Sequence, residues 1–165
     1  MKYSTLFCLF LIFGLNTLLA QSEAQADELM AQGELDAANT IYETLLKQAS
    51  NAPEQALGLA LKLANNYQQA QDYEKAVALL SKETAHWKSS TTADSLLGLA
   101  FHTLGICYFN LKDFPKAISH YEQAIKFRQR FSADYHIDML KSMRNIGNAH
   151  LEMLNFQEAG KYYQK

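Results

Sequence analysis

The chain has 165 residues, 48% of them hydrophobic, with 15 basic and 17 acidic side chains and a net charge of −2. That balance argues against a general nucleic-acid binder, which would present a basic face. Two cysteines and two prolines are spread through a chain with neither a low-complexity linker nor a change of composition, which reads as one domain behind a short leader.

The leader is "MKYSTLFCLFLIFGLNTLLA", residues 1–20, with Lys2 early, an apolar run from Leu6 to Leu15, and Ala20 at its end. This is the layout of a secretory signal peptide. The strict apolar run, interrupted by Gly14 and Asn16, is short for a membrane span, so an uncleaved N-terminal anchor is the alternative. Ala24-Gln25-Ala26 offers a second small-x-small cleavage site. A cut after Ala26 would remove most of the first helix described next, so cleavage after Ala20 is expected. Cys8 lies inside the apolar run rather than at its end, which argues against a lipoprotein anchor. Removal of residues 1–20 leaves 14 basic against 17 acidic groups, a net charge of −3, and Cys107 as the remaining thiol. The mature chain then has no internal disulfide, and its expected location is the periplasm or the extracellular space.

Beyond the leader, apolar and small residues fall at helical spacing in four successive copies. The first, about 21–50, carries Ala26, Leu29, Gly33, Leu35, Ala38 and Tyr42. The second, about 54–88, carries Ala64, Tyr67, Tyr73, Ala76 and Leu80, with Glu83 where a small residue is expected, so its end should be looser. The third, about 94–131, has Phe101, Leu104, Gly105, Tyr108, Phe114, Ala117 and Tyr121; the fourth, about 136–165, has Gly147, His150, Phe156, Ala159 and Tyr163. The anchoring alanines at 38, 76, 117 and 159 are 38, 41 and 42 residues apart. In the third copy "KDFP" separates two helical patterns. Asp113 can cap a helix start, and Pro115 fits a first turn, where its missing N–H costs nothing. Each copy therefore reads as helix, tight turn, helix. A small residue on the first helix facing one on the second lets the axes approach, and the rings fill the grooves beside them.

Phe101-x2-Leu104-Gly105-x2-Tyr108, followed by Ala117-x3-Tyr121, resembles a tetratricopeptide repeat, with Phe in place of the usual Trp and Gln129 at the position of its closing proline. Intervals of 41 and 42 residues exceed the usual repeat of about 34. They are similar to the longer repeats of kinesin light chains and of many bacterial arrays. The resemblance implies an all-α fold, a right-handed α-solenoid of stacked antiparallel hairpins with about 3.5–4 repeats.

No chemistry-bearing constellation accompanies this pattern. His86, His102, His120, His136 and His150 lack the close pairing of metal ligands, and His150 occupies the slot of Tyr67 and Tyr108, a packing position. Cys107 has His102 on a nearby helical face but no third group to orient a catalytic pair, so a small buried thiol describes it better. Lys126 to Arg130, "KFRQR", reads as a solvated helix end matched to the macrodipole, and Trp87 as packing under a long loop. Neither enzyme activity nor a cofactor is expected.

The resemblance places function on the inner face of each repeat's first helix, which in this family lines a concave groove for extended or helical peptides. Carried over, that face is Leu61, Asn65 and Gln68; then His102, Ile106, Phe109 and Asn110; then Lys141, Arg144, Asn148 and Leu151. Amides can hydrogen-bond a peptide backbone in both directions, and Lys141 and Arg144 favour an acidic residue or a terminal carboxylate. The family's carboxylate-clamp set is broken by His102 and Ile106, and the bland alternative is that these polar groups simply face water. At the other end, "FQEAGKYYQK" stops inside the last helix, leaving Tyr162 and Tyr163 without a following helix where solenoids close with a polar cap. A longer protein, a docked partner, or self-association through the uncapped repeat would each cover them. The expected function is an exported scaffold for a protein or peptide partner, with no nucleic acid and no membrane contact beyond the signal peptide. The alternative is the sensory or docking segment of a larger signalling or proteolytic protein whose catalytic module lies beyond Lys165.

Overall fold

The computed structural model describes residues 22–49, 51–87, 94–129 and 136–164. The expected signal peptide with its cleavage site at Ala20 lies outside them, as does the side chain of Trp87. Among the described residues there are eight helices and no strand. Helix α1 runs over 22–31, followed by α2 (Leu35–Gln48), α3 (Pro53–Gln69), α4 (Tyr73–Trp87), α5 (Asp94–Asn110), α6 (Phe114–Gln129), α7 (His136–Glu152) and α8 (Phe156–Tyr163). The all-α hairpin architecture expected from the spacing is what the chain forms.

Two compact units divide the chain, one ending at Ala49 and one beginning at Ser50. The first holds the α1/α2 hairpin. Its ring anchor, the buried Tyr42, donates its hydroxyl to Asp27 Oδ1 at 2.5 Å. Burial and that carboxylate hold the phenol well above its ordinary range. The second unit stacks three hairpins, each helix packing on the next and α3 also on α5. Helix α5 is apolar almost all round, "LLGLAFHTLGICYF", as befits a helix enclosed by neighbours.

One turn design joins the two helices of every hairpin. Gly33, Gln71, Lys112 and Leu154 occupy the same register and adopt φ of 81°, 60°, 61° and 60°. In each, the following amide reaches back five residues, as in Asp72 N–H to Tyr67 O (2.8 Å), Asp113 N–H to Tyr108 O (2.9 Å) and Asn155 N–H to His150 O (2.8 Å). These bonds satisfy carbonyls that a helix end would otherwise leave open. Only the first hairpin uses glycine there, so the other three residues carry left-handed strain of roughly 1 kcal/mol each. The second helix then starts on Asp72 or Asp113, whose carboxylates accept the N–H of Lys75 and Lys116 at 3.3 Å. The same lysines swing back to pair with these carboxylates and stand over the rings of Tyr67 and Tyr108, which adds a cation–π contact to the turn.

Above the turn, the small residue of the first helix receives a ring from the second. A Cβ on Gly105 would sit 2.5 Å from the Tyr121 ring, and one on Gly147 would sit 2.6 Å from that of Tyr163. Ala64 is accommodated in the second hairpin, where Leu80 stands in the tyrosine's place. A second ring pair flanks the first. Tyr108 lies flat on His120 (5.1 Å, 3°), and the fourth hairpin exchanges the two residue types in His150 and Tyr162 (5.7 Å). Both histidines thus serve as packing rings. Glu83, expected to loosen the second hairpin's end, is instead buried beside Lys82 Nζ at 3.5 Å.

Two substitutions test these contacts with opposite signs. Gly105→Ala forces the enclosed Tyr121 ring to move and should destabilise by about 1–3 kcal/mol. Lys112→Gly relieves left-handed strain and should stabilise by up to about 1 kcal/mol. Urea unfolding of both variants reads the two directions.

Candidate interaction groove

The face expected to carry function is built where α5 and α7 approach one another. There Ile106 and Phe109 from α5, Tyr121 from α6, and Asn145 and Asn148 from α7 line a half-open hollow of about 170 Å³. The floor is the ring of Tyr121, seated over Gly105 in a cluster with Ala117 and Ile146. Phe109 is steadied edge-on by Phe114 at 5.4 Å. Asn148 accepts the Tyr163 hydroxyl at 2.6 Å, and the Tyr121 hydroxyl is bonded to Asn145 while burial raises its pKa.

Three of these lining residues, Ile106, Phe109 and Asn148, fall on the face read from the sequence; Tyr121 and Asn145 do not. The missed pair had a signal. Tyr42 bonds Asp27 and Tyr163 bonds Asn148, each across fifteen residues. The same step from Tyr121 arrives at Ile106, which has no acceptor. The Tyr121 hydroxyl is bonded instead to Asn145 of the next hairpin.

The remaining candidates are distributed differently. Asn65 is exposed on α3. Gln68 donates to Cys107 Sγ at 3.1 Å, so it ties α3 to α5, and burial raises the thiol's pKa. Asn110 donates to Ile106 O of its own helix at 2.9 Å. Lys141 pairs with Asp138 at 2.9 Å. Arg144 is exposed, and its field reaches His102. Leu61, which the resemblance placed on the groove face, is buried, while Leu151 is exposed. Leu61 is packed with the other apolar residues of α3, whereas Asn65 one turn further on is open.

His102 is not a free groove side chain. Its Nδ1 lies 2.9 Å from Ser142 Oγ, and its ring tilts against Tyr121 at 5.4 Å. Arg128 Nη1 donates to the same hydroxyl at 2.8 Å and to Asp138 O at 2.7 Å. Within "KFRQR", Arg128 differs from the solvated helix end expected for it, being only 5% exposed and stapling α6 to α7, whereas Lys126 is exposed as expected and Arg130 lies outside the described residues. Gly98, whose Cβ would lie 3.2 Å from Arg128 Cγ, leaves the room for that stem. Burial, reinforced by Arg128, Lys141 and Arg144 and opposed by Asp138, lowers the pKa of His102 to about 4. Among the described residues no group of three or more His, Cys, Asp or Glu side chains is arranged to hold a metal, and no helix is long and apolar enough to cross a membrane.

Antiparallel hairpins stacked through small-residue and ring contacts define a helical-repeat protein. Tetratricopeptide repeat models match residues 23–61, 55–130 and 96–165, and the chain belongs to the tetratricopeptide repeat family. Its fold is similar to that of the apo form of RapI (TM-score 0.79, 19% identity, 88% of this chain and 40% of that one). It is also similar to BtubC (BKLC) from P. vanneervenii (0.75, 19%, 89% and 61%). A third is a putative kinesin light chain of Podosopora anserina with nearly identical TPR-like repeats (0.71, 20%, 88% and 72%). The chain thus spans 40% and 61% of the length of the first two. No curated protein matches it.

The His102 environment sets a pH dependence. Its folded pKa of about 4 lies below the ordinary 6.5, so the unfolded chain binds the proton first as pH falls. Stability should be full above about pH 6.5 and decline between there and about pH 4, by up to about 3 kcal/mol. His102→Gln should flatten most of that slope in urea midpoints measured across the range. His120, whose pKa burial also lowers, should retain a part of it.

Proposed function

We propose that this chain is an exported interaction scaffold that holds a protein or peptide partner along the face made by α3, α5 and α7. The observation that carries the reading is the hollow between α5 and α7, with apolar walls, two amides at its rim and the exposed Arg144 one helical turn from Asn148. Arrays of this kind offer extended concave surfaces to their partners, and the family supplies binding surfaces rather than catalysis. The signal-peptide layout of residues 1–20 supports export. Exposed apolar side chains at the α7–α8 end, Leu154 at 73% and Phe156 at 66%, favour a second reading in which that end docks a further element of a larger assembly.

Asn148 is tied to Tyr163, so the informative variant spares it. Arg144→Glu combined with Asn65→Ala changes two exposed positions and should leave helicity and melting unchanged. The tagged full chain should be recovered with its partner from the extracytoplasmic fraction, and the double variant should lose that partner. Equal capture by the variant overturns the groove reading, and recovery from the cytoplasm alone overturns export.

A further inference from the structure

We propose that the hollow selects an extended acidic peptide. One large apolar side chain enters between Ile106, Phe109 and Tyr121, and an Asp or Glu side chain one to three residues along the peptide meets Arg144. This rests on the interaction reading above and names its partner by chemistry. The hollow, at about 170 Å³, is comparable to a cavity of roughly 150 Å³ that holds a benzene ring, so one such side chain fills it. Its walls are a half-buried isoleucine and phenylalanine over the Tyr121 ring, with nothing charged among the lining residues. That composition rejects a lysine or arginine at this place.

The rim supplies backbone grip. Asn148 Oδ1 is taken by Tyr163, which leaves its amide hydrogens as donors for a peptide carbonyl. Asn145 is likewise tied to a tyrosine, through its bond with the Tyr121 hydroxyl. Amides fixed by tyrosines before binding lose little rotamer freedom when a peptide arrives.

Charge complementarity chooses the neighbouring residue. Asp138 is engaged by Lys141, and among the described residues no acid pairs with the exposed Arg144, whose spacing puts it on the same helix face as Asn148. Four residues of α7 separate it from Asn148, a rise of about 6 Å. An extended peptide advances about 3.3 Å per residue, hence the spacing of one to three. A terminal carboxylate is a poorer fit, because it calls for several converging donors and the equivalent places on α5 hold a histidine engaged with Ser142 and Ile106. A single forked guanidinium suits a side-chain carboxylate.

The test is a phage-displayed library of random nonapeptides, presented without a free C-terminus, panned against the full chain. Enrichment of a large apolar residue with Asp or Glu one to three positions away is the expected result. The winning peptide, synthesised with both ends blocked, should prefer Asp over Asn by about three- to fivefold in fluorescence anisotropy, the scale of an exposed bidentate pair. Arg144→Gln should abolish that preference, and Phe109→Ala should weaken binding at least about tenfold through the lost apolar contact. Arg144 is exposed, so its result stands whatever Phe109→Ala does to the fold. A basic or charge-indifferent pattern overturns the inference. An empty panning, the outcome if the true occupant is a chain terminus or a second copy, also overturns it. If partner capture is nevertheless lost in the Arg144→Glu/Asn65→Ala variant, the scaffold reading survives; if capture persists there, both fall.

Discussion

The structure depends on how closely the two helices of a hairpin can approach. In the third hairpin that distance is set by the ring of Tyr121 lying on the bare backbone of Gly105, where even a methyl group would intrude. This contact carries several consequences at once. It places Ala117 and Tyr121 in one cluster with Ile146 of the next hairpin, so the same ring that closes one hairpin also builds the junction to its neighbour. It also fixes the floor of the hollow. The ring that packs the hairpins together is thus also a wall of the hollow.

Polar groups then decide what each junction is made of. Between the second and third hairpins the link is Gln68 to a sulfur, a weak acceptor. Between the third and fourth it is Arg128 on a serine hydroxyl and a backbone carbonyl, a charge-assisted and stronger arrangement. A buried guanidinium is tolerable because its Nη1 donates two hydrogen bonds and the Asp138 carboxylate favours its charge. His102 joins the same serine in neutral form, which avoids a second positive charge beside Arg128.

Much of this was legible in the sequence. Four phased sets of small and aromatic residues located every hairpin, and Asp113 announced the start of α6, because packing in a repeat array imposes a strict period on those residue types. The polar face was only half legible. Helical spacing tells which side of α5 or α7 a residue occupies. It is silent on whether Gln68, Asn110 or Lys141 is already committed to a neighbour, and those commitments depend on distances between helices. Arg128 shows the same limit: helix-end logic placed it in water, whereas the close approach permitted by Gly98 drew it between two helices. Leu154 illustrates the reverse case, a turn whose geometry survives although its residue type does not advertise it.

The unequal junctions also govern how the second unit comes apart. In a linear array stability is a sum of hairpin and nearest-neighbour contributions, so the weakest link defines the cooperative block. The guanidinium staple adds a charge-assisted link to the packing between the last two hairpins. The α3/α4 hairpin is held to α5 by packing from both of its helices and by one weak amide-to-thiol bond, so its coupling to the rest is carried by apolar contact rather than by polar bonds. The hollow between α5 and α7 therefore lies at the junction that carries the polar staple.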